Sequence, residues 1–222
     1  MNFETTEKID FYLPKVKKFI NDHVLPVELG IRNKKIPEEK RWEPHSELEG
    51  LKEEAQKQGL WNLFLPDSEY GPGLSNFEYA HLAEEIGRTS FASEAMNCSA
   101  PDTGNMEVLV RYGSDEQKSQ WLKPLLHGEI RSAFGMTEPE VASSDATNME
   151  AKAELIDGEW VINGEKWWTS GAGDPRCKII IFMCVTNPEN DRHQRGRHGG
   201  VPTALQGGQK GAHDCQSGET RG

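Results

Sequence analysis

The sequence is poor in the features that would settle a function quickly. It has four cysteines in 222 residues, Cys98, Cys177, Cys184 and Cys215, with no Cys-x-x-Cys pair and no zinc-site spacing, so they read as reduced thiols. The histidines are scattered; His23, His45, His81 and His127 fall on separate predicted elements and no His-Glu-x-x-His occurs, which leaves no metal-ligand candidate. No apolar run approaches the roughly 18 residues of a membrane span, so none is expected. Positive charge is short: 25 Lys and Arg against 36 Asp and Glu give a net charge of -11, a surface that repels nucleic acid and anionic membranes alike. The start, Met-Asn-Phe-Glu-Thr-Thr-Glu-Lys-Ile-Asp, has neither a signal-peptide apolar core nor the acid-free character of a transit peptide, so an intracellular protein is expected.

Apolar residues are only 35 % of the chain, but they are clustered. Ile9, Leu13, Val16, Phe19 and Ile20 recur at three- and four-residue steps, one stripe of an amphipathic helix that Pro26 is expected to close. Leu48, Leu51 and Ala55 mark a second helix ending at Gly59, and residues 76–87 a third. A fourth is expected near residues 92–112. Ser114 and Gln117 have the spacing of a capping box, with Asp115 and Glu116 placed favourably for the helix dipole.

The period then changes. Residues 132–136 form a short apolar run, and residues 151–168 alternate around Asp157-Gly158, a two-residue hairpin signal. Asn163-Gly164 predicts a second turn of the same kind. The continuous apolar stretch from Lys178 to Thr186 suits a strand buried on both faces. Helices first and antiparallel strands second give an α+β fold class, with domains expected at 1–128 (helical) and 129–192 (an incomplete antiparallel β-domain). Residues 193–222 are Gly-rich, carry four basic and two acidic residues and lack apolar periodicity, so a disordered tail is expected.

Two stretches attract chemistry. Residues 134–146 (Phe-Gly-Met-Thr-Glu-Pro-Glu-Val-Ala-Ser-Ser-Asp-Ala) bring a strand to a stop at Pro139, leaving backbone donors, the Thr137 hydroxyl and the small-residue loop of Ser143 and Ser144. Residues 164–174 add Trp167, Trp168, Thr169 and Ser170. Donors, a flat apolar wall and a phosphate-compatible loop suit a large planar cofactor with a pyrophosphate; a tryptophan-rich core with polar corners is the plainer alternative.

These stretches resemble the flavin-binding signatures of the acyl-CoA dehydrogenase family, in the branch of its members ten and eleven, with Ala142 where Gly is usual and Ser170 where Thr is usual. Residues 23–28, 82–88, 100–113 and 115–134 match in order, and the likeness extends from about residue 8 to Arg192. It implies FAD as cofactor, with Phe134, Met136 and Thr137 at the flavin ring edge, Trp168 on its face, Thr169 beside it and Ser170 near the reactive N5. Ser143 and Ser144 would lie at the pyrophosphate and the start of the acyl-CoA site. It further implies α,β-dehydrogenation of acyl-CoA, an electron-transfer flavoprotein or oxygen as acceptor, a homo-oligomer, and a mitochondrial or peroxisomal location. No catalytic residue is assigned, because the family's carboxylate base belongs to a C-terminal helical domain expected to be missing. The chain is therefore expected to be inactive alone. The alternative is a non-catalytic truncated product that binds FAD weakly or joins full-length subunits.

Overall fold

The structure, a computed structural model, describes residues 4–35, 37–40, 43–142 and 145–191. The tail expectation for residues 193–222 lies outside the described residues. The chain divides into two compact units after Gly128, and each is described by itself.

The first unit is helical. Thr6 caps α1 (Glu7–Phe19), its hydroxyl accepting from Ile9 N–H. Ile9, Val16, Phe19 and Ile20 of the apolar stripe are buried, and Leu13 is half-buried. Each full burial is worth about 1.5–3 kcal/mol. The Lys17–Glu85 pair to α4 (Asn76–Ile86) is partly solvated, and such pairs are worth about 0–1 kcal/mol. The stripe, not the ion pair, therefore seats α1.

Pro26 does not close this helix. A π-helical turn, Ile20–Val24, follows α1, and the chain runs on through α2 (Leu25–Arg32) with Pro26 in its first turn. The Leu25 N–H reaches back five residues to Ile20 O. That wider turn relieves the two faults of an internal proline, its missing N–H and its clash with the carbonyl four residues back. The same device recurs at Lys118–Leu122, ahead of Pro124.

Helix α3 (Ser46–Lys57) buries Leu48, Leu51 and Ala55 as expected and gives way to Gly59 at φ +69°. The helix expected over 92–112 is two, α5 (Ala92–Ala95) and α6 (Asp102–Tyr112). Asn97 ends the first in a left-handed conformation (φ +52°), and its buried amide donates to Asn62 Oδ1 at 2.7 Å and Leu125 O at 2.9 Å. The Ser114–Gln117 capping box forms and opens α7 (Asp115–Gln117), and α8 (Lys123–His127) ends at Gly128. A second box, Ser75–Glu78, starts α4.

The second unit holds four strands in two pairs. Strands β2 (Lys152–Ile156) and β3 (Glu159–Asn163) form the expected antiparallel hairpin. Asp157 and Gly158 both have positive φ, +51° and +86°, as a type I′ turn requires. Strand β1 (Arg131–Gly135) pairs with β4 (Cys177–Phe182) in parallel, Phe134 opposite Ile181. That pairing corrects the antiparallel expectation for these two strands; the long crossover between them permits it. Nor is β4 buried on both faces: Ile179 and Ile181 are buried, Ile180 and Phe182 half-buried.

Asn163-Gly164 makes no second hairpin, since residues 164–169 form no strand. Gly164 is needed for space instead. A Cβ there would lie 2.4 Å from Ala151 Cβ, in the small cluster of Ala151, Ala153 and Cys184. Towards its turn the hairpin is open on both faces, with Leu155 60 % and Val161 49 % exposed.

These two glycines give a paired prediction. Gly158→Ala meets open space and suffers only the positive φ, about 1–2 kcal/mol. Gly164→Ala adds overpacking against Ala151, about 1–3 kcal/mol more. Thermal unfolding of the two variants should rank them in that order; equal losses would reject the packing role.

Candidate functional site

Strand β1 delivers Phe134, half-buried, and stops at Gly135. The next three carbonyls are each taken by a different segment. Gly135 O accepts from Met183 N–H at 2.9 Å, Met136 O from Lys166 Nζ at 3.0 Å, and Thr137 O from Trp167 N–H at 3.0 Å. The N–H groups of Met136 and Thr137 donate to no other group among the described residues. With Met136 37 % exposed, this segment is a fixed edge with two open donors.

Beneath that edge lies a buried ion pair. Lys166 Nζ donates to Glu138 Oε1 at 2.6 Å, with side-chain exposures of 4 % and 6 %. The Glu138 carboxylate also accepts from the N–H groups of Glu150 (2.7 Å) and Ala151 (3.0 Å). Burial raises the carboxyl's proton affinity, but Lys166 and the two N–H groups together outweigh it and hold the pKa below its ordinary 4.5. Burial pulls the Lys166 ammonium below its ordinary 10.5, and Glu138 offsets this only in part. The charged pair is the state these hydrogen bonds are built for. Sequence reasoning missed both residues. The available signal was an acid and a lysine, each inside a motif otherwise read for its aromatic and hydroxyl groups.

The Trp167–Ser170 segment is tied to the strand end by the Trp167–Thr137 bond. Trp168 is 76 % exposed and has φ +51°, a conformation a bulky side chain adopts at a cost of about 1–3 kcal/mol. Ser170 N–H bonds back to Trp168 O at 3.1 Å and so supports the kink. Ser170 is exposed. Thr169 is buried, its hydroxyl donating to Trp167 O at 3.4 Å. Trp167, at the end of the run 151–168 that was expected to alternate, is 39 % exposed, because no strand forms there. The two indoles lie 5.8 Å apart at 55°.

The structure therefore brings Met136, Thr137 and the two tryptophans to one edge. Ser143 and Ser144 lie outside the described residues. A separate cleft of about 350 Å³, lined by Glu138, Glu140, Glu150, Gly164 and Glu165 among others, includes none of the expected cofactor residues, and its acidic rim is unsuited to phosphate. Among the described residues no cluster of His, Cys, Asp or Glu could hold a metal ion, and no helix is long and apolar enough to cross a membrane.

Comparison with known proteins decides the family. Residues 6–129 match the acyl-CoA dehydrogenase N-terminal domain and residues 133–213 its middle domain. The chain belongs to the acyl-CoA dehydrogenase family. The middle-domain match runs past Arg192, where the likeness was expected to stop. Acyl-CoA dehydrogenase family member 10 of Mus musculus is 56 % identical over 183 residues, covering 80 % of this chain and 17 % of that protein. Family member 11 of Homo sapiens is 50 % identical over 197 residues, covering 87 % of this chain and 25 % of its own length. A solved structure from Mycobacterium abscessus, described as an acyl-CoA dehydrogenase, superposes with TM-score 0.81 at 52 % identity, over 86 % of this chain and 49 % of that one. A glutaryl-CoA dehydrogenase from Mycobacterium smegmatis, solved in complex with FADH2, shares the fold at TM-score 0.61 and 23 % identity. The chain thus spans half or less of the length of each of these relatives.

The ion pair at this acyl-CoA dehydrogenase middle domain sets the next prediction. Lys166→Met strands a buried carboxylate and should cost about 3–5 kcal/mol, whereas Glu138→Gln with Lys166→Met should recover most of that. Urea unfolding distinguishes the two; a double variant as unstable as the single one would refute the pairing. The pH dependence follows in sign. A carboxyl with a lowered folded pKa stabilises above its unfolded value, and that contribution is lost as pH falls below about 4.5 through the folded value. Glu138→Gln should therefore flatten the acid limb of the stability curve.

Proposed function

We propose that this chain is an FAD-binding protein of acyl-CoA dehydrogenase type, built for α,β-dehydrogenation of an acyl-CoA. The observation that carries it is the edge at residues 136–137, where two open N–H donors stand in a fixed backbone that is hydrogen-bonded directly to the segment bearing exposed Trp168. Those groups fit a planar, hydrogen-bonding ring. Open donors suit its polar edge, and an exposed indole held at a strained φ suits its face. The FADH2 complex of the Mycobacterium smegmatis glutaryl-CoA dehydrogenase, which has the same fold, supports the choice of ring.

In this reading the backbone of Met136 and Thr137, with Phe134 beside them, orients the ring edge. Trp168 covers one face, and Ser170 offers a hydroxyl beside it. Thr169 acts from below, through the Trp167 carbonyl that it bonds. Ser143 and Ser144 serve the pyrophosphate and the near end of acyl-CoA. When bound, FAD supplies a hydride acceptor for the β-carbon of the acyl chain. The chain's own contribution is alignment and exclusion of water, the terms that make a near-attack geometry effective. The carboxylate that takes the α-proton is proposed to lie outside residues 1–192, none of whose acids sits in a sequence motif assignable as that base. Electron-transfer flavoprotein or oxygen as acceptor, assembly into homo-oligomers, and a mitochondrial or peroxisomal setting belong to the same proposal.

FAD titration followed by quenching of flavin fluorescence tests it. Trp168→Ala should weaken binding by about 0.5–1.5 kcal/mol beyond the area lost, and Trp167→Ala by less. Equal losses, or none at Trp168, would reverse the stacking assignment. Without the base, which is worth roughly 10²–10⁴-fold, the purified 222-residue chain should not reduce a dye with long-chain acyl-CoA. Turnover by this chain alone would place a base within it.

A further inference from the structure

Lys166 stands outside the groups assigned to the ring, yet its ammonium is buried at the base of that edge. Its bond to Met136 O, at 3.0 Å, has a consequence one atom further on. That carbonyl belongs to the same peptide unit as the N–H of Thr137, and the unit's resonance couples the two ends. A cation on the oxygen draws electron density through the amide and makes the N–H a stronger donor. In a low dielectric such chains strengthen by roughly 10–30 % per bond.

The neighbouring units lack this feature. Gly135 O, which shares its peptide with the Met136 N–H, accepts from the neutral amide of Met183 at 2.9 Å. The two open donors are therefore unequal: one is backed by an amide and the other by a buried charge. Glu138 keeps the charge where it is, since its carboxylate is itself anchored by the N–H groups of Glu150 and Ala151. The ammonium cannot swing to another carbonyl without leaving that anchored partner.

We propose that Lys166, held by Glu138, is a positioning residue that polarises the Met136–Thr137 peptide, so that the Thr137 N–H prefers a ligand atom bearing negative charge. The proposal rests on the flavin reading for the identity of that ligand. The two-electron-reduced ring is anionic near neutral pH and the oxidised ring is neutral, so the edge favours the reduced form. The pair thereby tunes the redox preference of a site that neither side chain need touch.

The first test needs no flavin. In the isotope-labelled full chain, the Thr137 amide proton should resonate downfield. In Glu138→Gln with Lys166→Met, which removes both charges together and strands neither, it should move upfield while the Met136 amide stays in place. If that variant does not fold, Glu138→Gln with Lys166→Gln keeps a neutral donor, and Lys166→Arg keeps the charge; only the former should move Thr137. A Thr137 amide that stays put in the folded variants, or moves no more than that of Met136, overturns the proposal.

The second test adds FAD and sodium dithionite. Neutralising the pair should weaken binding of reduced flavin by about tenfold, equivalent to ~1.4 kcal/mol, and of oxidised flavin by less, which appears as a more negative midpoint potential. Equal weakening of both forms overturns the charge preference. Failure of the unaltered chain to bind FAD overturns the flavin reading instead, and leaves the polarised peptide to be judged by the amide shifts.

Discussion

One buried ion pair organises the β-rich unit. Glu138 and Lys166 join three segments far apart in sequence: the end of β1, the approach to β2 and the approach to the paired tryptophans. Burying two charges costs several kcal/mol each, and their attraction offsets this only when the remaining hydrogen-bonding capacity is used. Here both carboxylate oxygens and two ammonium donors are engaged. A well-packed apolar pair of similar volume could match it for stability. It could not specify which carbonyl meets which segment. The pair is better understood as fixing one backbone arrangement at the strand end than as holding the unit together.

The edge it fixes explains why residues so different in exposure belong to one site. Thr169 and Lys166 are buried and act through carbonyls, whereas Trp168 and Met136 face outward. The strain at Trp168 has the same origin. A left-handed bulky residue persists only when its surroundings over-determine it. The Ser170–Trp168 and Trp167–Thr137 bonds supply that constraint on either side of it.

Much of this was legible in the sequence, wherever the signal was local. Asp157-Gly158 dictated its turn, Ser114 and Gln117 their cap, and the stripe from Ile9 to Ile20 its buried face. The Ser75–Glu78 box carries the same spacing signal. Pro26 misled because a proline commonly ends a helix, and nothing in Ile20–Val24 announces the widened turn that accommodates it. The parallel partnership of β1 with β4 could not be read at all, since apolar runs carry no record of strand direction. Within the candidate site, the motifs were recognisable as strings, but the mutual dependence of Glu138 and Lys166 emerged only from their coordinates. Exposure at Trp167 was likewise beyond reach once an alternating strand had been assumed there.

The pairing of β1 with β4 also bears on how the chain comes off the ribosome. The helical unit closes by Gly128, so its contacts are available as soon as that residue emerges. Strand β1 follows at once but has to wait until Phe182 for its partner's last residue, while the β2–β3 hairpin can form on its own in the interval. At about 5–20 residues per second, synthesis leaves β1 single for several seconds. During that time its apolar residues, Ala133 and Phe134, stand with no ladder beside them. The order of synthesis thus leaves the strand that presents the site's edge without its partner until its unit is nearly complete.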